Sequence, residues 1–168
     1  MGVDDRRAID EEEMFSMDGS ARQEALERLD VLAGEWVVEA DFPGLDTPAA
    51  RSVFEWTLDR RFLVQRTEIS LPEAPDSMAI IATDPETGAY TQHYFDSRGV
   101  ARVYAMSFAG GAWRLLREAP DFSPLDFRQR FTGQVSDDGT TIHGSWETSH
   151  DDSTTWEHDF TLTYRRSR

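Results

Sequence analysis

The stretch TTWEHDFTLTYRR, residues 154–166, puts an imidazole among apolar side chains. Taken in alternation, Trp156, His158, Phe160, Leu162 and Tyr164 form one set, and Thr155, Glu157, Asp159, Thr161 and Thr163 the other. A half-buried strand alternates in this way. The wholly polar set should meet water, so His158 is expected to face an interior. An imidazole there has several uses. It can be a hydrogen-bonded core group, a polar anchor for an otherwise apolar ligand, an axial haem ligand or a general acid–base.

The other histidines do not suggest a metal centre. His93, His143, His150 and His158 form no HxH or HxxxH spacing, so no zinc site is expected. His143 is expected to face solvent, and His150 to lie in a turn. Arg66, Glu68, Arg102 and Arg117 fall in the middle of strand-like runs, where a buried charge must find a partner. Glu55, between Phe54 and Trp56, reads as exposed. There is no cysteine and no lysine, all 17 basic residues being arginine. That excludes disulfides, thiolate nucleophiles, Cys-held metals and Schiff-base chemistry on lysine. Arginine-only usage is what a GC-rich genome produces. No GxSxG, HExxH, phosphate-cradling glycine loop or dinucleotide fingerprint occurs.

The elements that must position these residues are mostly strands. Runs of alternating, β-branched or aromatic residues fall near 35–42, 51–58, 61–70, 77–83, 89–95, 100–108, 112–118, 127–136, 140–148 and 154–165. Turn-forming stretches such as DPETG, DSRG, AGG, SDDGT and HDDST separate many of them. Such short connections make neighbours antiparallel. One helix precedes them, with Ser20 and Gln23 as a capping box, a stripe of Ala25, Leu26, Leu29, Leu32 and Ala33, and Gly34 as the stop. The expected fold is all-β: an antiparallel up-and-down barrel of about ten strands with one N-terminal helix, closed because closure removes exposed edges. A two-sheet sandwich is the alternative. The Pro-bearing connections 71–76 and 119–126 are expected at barrel mouths.

Residues 1–19, acidic and polar, read as a tail, and 20–168 as the barrel domain. At 168 residues with 39% hydrophobic residues, including 5 Trp and 10 Phe, the chain suits one domain with a real core. The absence of a signal peptide or a long apolar run makes a cytoplasmic protein the expectation. A net charge of −15 argues against nucleic acid and membrane surfaces as partners. Exposed faces rich in Thr, Arg and Glu suit a monomer or a homodimer.

LDVLAGEWVVEADFPG resembles the L-x-x-L-x-G-x-W opening of lipocalin-like (calycin) barrels. Together with DRRFLVQRTEI, DPETGAYTQHYFDSRGVARVYAMSF and WEHDFTLTY, it is similar to an uncharacterised bacterial lipocalin-like family, over about residues 26–165. More distantly it resembles the nitrobindin barrels, which hold haem through a histidine of the final strand. The resemblance implies a small-molecule pocket in the lumen, with Trp36 packing the closed end.

A small hydrophobic or aromatic ligand is therefore expected. Trp36, Tyr94, Tyr104, Trp146, Trp156 and Phe160 are candidate walls, and His158 or Arg102 candidate anchors. Ordinary core packing is the competing role for each aromatic. No cofactor is required, haem on His158 being the alternative the resemblance raises. A barrel enzyme of cyclase, dehydratase or hydratase type is the third reading, with His158 as acid–base and Tyr94, Tyr104 or Glu68 assisting.

Overall fold

The computed structural model describes residues 19–168. Almost all of the acidic tail thus lies outside the described residues. A helix over 19–28 tightens into a 3-10 turn at Leu29–Leu32. Ten strands follow: β1 Gly34–Asp41, β2 Ala50–Thr57, β3 Phe62–Ile69, β4 Ser77–Thr83, β5 Tyr90–Asp96, β6 Ala101–Ala109, β7 Ala112–Arg117, β8 Arg128–Val135, β9 Thr141–Ser149 and β10 Glu157–Arg166. Each pairs antiparallel with the next, and β1 pairs with β10 to close the cylinder. The expected barrel is the observed one, and no sheet edge is left open.

The helix stops one end. Ala25, Leu26, Leu29 and Leu32 are buried, as the stripe predicts. Gly19 and Ser20 are already helical, so Ser20 does not cap. Trp36 Nε1 donates to the Leu32 carbonyl at 2.8 Å, and Tyr90 Oη donates to the Ala25 carbonyl at 2.5 Å. Asp30 accepts from Trp56 Nε1 at 2.9 Å and from Arg60. The far end of the chain returns to the same place. Arg166 donates to the carbonyls of Val31, Ala33 and Gly139, and its guanidinium lies 4.2 Å over the Trp36 ring. Those of Val31 and Ala33 are helix-end carbonyls that would otherwise lack donors, and that of Gly139 belongs to the turn between β8 and β9. Gly34 makes room for this staple, because a Cβ there would stand 2.7 Å from Arg166 Nη1.

Alternation sorts the walls. Trp36 and Val38, Phe54, Leu63, Ile81, Tyr104, Met106 and Phe108, Trp113 and Leu115, Phe131, Ile142 and Tyr164 are buried and face inward. Among them, near the helix end, Trp113 packs edge-on against Phe54 and Phe131, at 6.0 and 5.0 Å between centroids. Phe131 fits because its neighbours are glycines. Gly133 and Gly144 pair across β8 and β9, and a Cβ on Gly133 would meet Phe131 Cε1 at 2.8 Å. Burial pushes the Tyr164 hydroxyl up to about 12. We call this filled half the floor.

Five connections, 42–49, 70–76, 97–100, 118–127 and 150–156, lie at the other end, the Pro-bearing pair among them as expected. Among the described residues no helix is long and apolar enough to cross a membrane.

Candidate functional site

The half of the lumen above the floor is built differently. Its inward residues include Ser52, Gln65, Gln92, Tyr94, Arg102, Tyr104, Gln129 and Trp146, most of them polar. Tyr94, Arg102, Gln129, Trp146, Phe160 and Leu162 are only half-buried although their strands turn them inward.

Neighbouring strands bring three of these together. Gln92 pairs with Tyr104, and Tyr94 with Arg102, across β5 and β6. From β8, Gln129 Oε1 accepts from Arg102 Nη1 at 2.8 Å and from Tyr104 Oη at 2.9 Å. Trp146 of β9 stands 5.6 Å from Tyr104, edge to face, and 5.2 Å from Phe131, so it forms the apolar wall just above the floor. The satisfaction is incomplete. Arg102 Nε and Gln92 Oε1 are both buried without a partner. A native interior pairs nearly all such atoms.

The charges around this wall are otherwise neutralised. Arg117, 1% exposed, makes a two-toothed ion pair with Asp121 at 2.8 Å on each oxygen. Asp121 also accepts from the Val103 and Ser123 amides. It thereby replaces ladder bonds where β6 extends past β7, and ties the 118–127 connection to the barrel rim. The Arg117 guanidinium holds the Asp121 carboxyl well below the ordinary carboxylate range, against the opposing effect of burial. At the rim, Tyr94 Oη donates to Asp96 Oδ2 at 3.0 Å, and Arg98 pairs with the same carboxylate. Burial alone would raise Asp96, but the Arg98 side chain and amide and the Tyr94 hydroxyl bring it down to about 2. Burial, reinforced by Asp96, pushes the Tyr94 hydroxyl up, and burial does the same for Tyr104.

Of the residues singled out in the sequence, Arg102, Tyr104, Tyr94 and Trp146 come together in this upper lumen, and Phe160 joins their end, packed 4.3 Å from Phe42. Trp36 is inward but sits under the helix, as the lipocalin-like opening implies.

His158 and Trp156 are not inside. A β-bulge lies between His158 and Phe160: Phe160 pairs with Trp146, whereas His158 pairs with Glu147. The extra residue, Asp159, shifts the parity, so that the alternation read through the whole segment holds only from Phe160 onward. His158 is exposed, with Nδ1 3.2 Å from Ser145 Oγ on the outer wall. Trp156 precedes the strand and lies against the Arg130 guanidinium at 4.3 Å, itself paired with Glu147. The expected strand start at 154 is instead a turn, held by Asp151, which accepts from the Thr155 amide and hydroxyl.

Haem does not fit this lumen. His93 and His143 alternate outward, His150 lies in an exposed connection and His158 is on the outer wall, so none of the four imidazoles is placed as an axial ligand. Among the described residues no group of His, Asp and Glu is arranged to hold a metal ion. Arg66 and Glu55 pair with each other outside, leaving Arg117 as the interior ion pair. Gln92 and Gln129 were not singled out in the sequence. Gln92 carries a signal, a polar residue between Tyr90 and Tyr94 in one alternating set; Gln129 carries none.

No protein-family model matches the chain, and no curated protein matches it in sequence. Among solved structures, the chain is similar to the crystal structure of Rv2717c from M. tuberculosis, with a TM-score of 0.57 and 16% identity over 86% of this chain and 98% of that one. At that identity the likeness is one of fold, and it places the chain among closed antiparallel β-barrels.

Proposed function

We propose that this barrel is a small-molecule-binding protein of lipocalin-like type, whose ligand enters from the open end and rests on the aromatic floor. Trp146, Tyr104 and Phe160 supply an apolar wall, and Arg102 and Gln92 supply polar anchors. One observation carries the reading. Arg102 Nε and Gln92 Oε1 are buried without partners beside a half-exposed aromatic wall. Leaving a buried polar group unpaired costs about 1–3 kcal/mol, and a pocket with a few placed polar groups on an apolar lining is how small ligands are held. The kinship with lipocalin-like barrels rests on the Gly34-x-Trp36 opening, packed against the helix at the closed end.

Binding is favoured over catalysis. Tyr94 and Tyr104 are held in their protonated forms, and His158 and Glu68 lie on the outer face. Among the described residues, the lumen therefore holds no group poised to exchange a proton near neutrality.

The test is thermal unfolding in the presence of fatty acids, retinoids and neutral or acidic aromatic compounds. A ligand at about a hundred times its Kd stabilises by about 2.7 kcal/mol, which displaces Tm by several degrees. A rise that disappears in Trp146→Ala supports the reading. No rise with any compound contradicts it.

A further inference from the structure

The unmatched atoms in the upper lumen describe the ligand's polar end. We propose that the lumen selects small aromatic monocarboxylic acids that carry a hydroxyl or N–H donor next to the carboxylate. This rests on the reading of the upper lumen as the ligand site.

The first part is charge. Arg117 is neutralised by Asp121, and Asp96 by Arg98. Arg102 makes no ion pair among the described residues; its one bond is from Nη1 to a neutral amide, Gln129. The upper lumen thus carries one uncompensated positive charge in a protein whose net charge is −15. A half-buried guanidinium with a free Nε edge is a fork for a carboxylate. The acidic exterior favours a single negative charge over a nucleotide or other polyanion.

The second part is the neighbour. Gln92, 5% exposed, is diagonal to Arg102 across β5 and β6, and its Oε1 accepts nothing. A carboxylate offers that oxygen no hydrogen. A donor one or two bonds from the carboxylate would, so the acceptor at Arg102 and the donor at Gln92 belong to one ligand edge. Trp146 and Tyr104 then face the ring, 5.6 Å apart themselves, and the filled floor limits its length. A long acyl chain has no room below Phe131 and Trp113.

Titration calorimetry with benzoate, 2-hydroxybenzoate and neutral indole separates the parts. 2-Hydroxybenzoate is expected to bind about tenfold more tightly than benzoate, a difference of about 1.4 kcal/mol. Gln92→Leu should erase that preference, bringing the two acids to one affinity. Arg102→Gln should weaken both acids at least tenfold and by far more than it weakens indole. If that variant does not fold, Arg102→Lys, which keeps the charge and loses the Nε donor, should weaken both acids several-fold. Unchanged acid affinity in whichever of the two folds overturns the proposal. Indole binding with no acid binding overturns the acid inference and leaves the lumen site standing. Failure of all three to bind overturns both.

Discussion

The two halves of the lumen share ten strands and differ in what those strands send inward. Near the helix, rings interlock around Trp113, and even glycines serve the packing, since Gly133 and Gly144 yield their space to Phe131. Toward the open end, amides, hydroxyls and a guanidinium replace the rings, and two of their atoms go unmatched. Trp113 Nε1 and Thr83 Oγ1 are likewise buried without a partner near the helix, so what sets the upper lumen apart is its polar lining and its half-exposed walls. The barrel therefore separates its tasks along its axis, with the helix and floor holding the shape that the upper lumen uses.

That contrast can be broken from either side. Trp36→Ala, which opens a cavity under the helix and removes a bond to Leu32, should cost about 3–5 kcal/mol in denaturant unfolding. Asp121→Ala leaves the Arg117 guanidinium buried without its partner and should cost a similar about 3–5 kcal/mol. The same pair predicts an acid limb. Because the folded Asp121 carboxyl titrates well below its ordinary value, its contribution is present above about pH 4 and is lost as pH falls from there. Stability measured between pH 5 and 2 should fall less steeply in Asp121→Asn than in the parent. Gly144→Ala drives a Cβ into the Phe131 ring and should cost about 1–3 kcal/mol. His158→Ala on the outer wall should shift stability by less than about 0.5 kcal/mol and leave ligand binding untouched. Loss of binding in that variant would return the imidazole to the site.

The fold was legible because its signals are periodic and local. Short turns forced antiparallel neighbours, the helix stripe of Ala25, Leu26, Leu29 and Leu32 was correctly assigned, and Gly34-x-Trp36 marked the closed end. Half of the candidate site was legible for the same reason: Tyr94, Arg102 and Tyr104 fall on the inward parity of β5 and β6. The reading failed at His158, where one extra residue inverted the alternation. A bulge carries little sequence signature of its own, since Asp159 looks like any polar residue of the outward set. Gln129 was illegible because its importance lies in bonds to β6, 25 and 27 residues away. Arg117 could be flagged as a charge in a strand, but its partner Asp121 lies in a connection whose path the sequence does not specify.

The native chain has no cysteine, so a single introduced thiol reports solvent access at a chosen depth. Leu162→Cys places it on the half-exposed upper wall, and Ile142→Cys in the fully buried floor. With a small thiol reagent under native conditions, the account predicts ready labelling at 162, slowed by bound 2-hydroxybenzoate, and labelling at 142 only at the rate of unfolding. Equal protection at both positions would mean that the barrel is filled from end to end, and would contradict it.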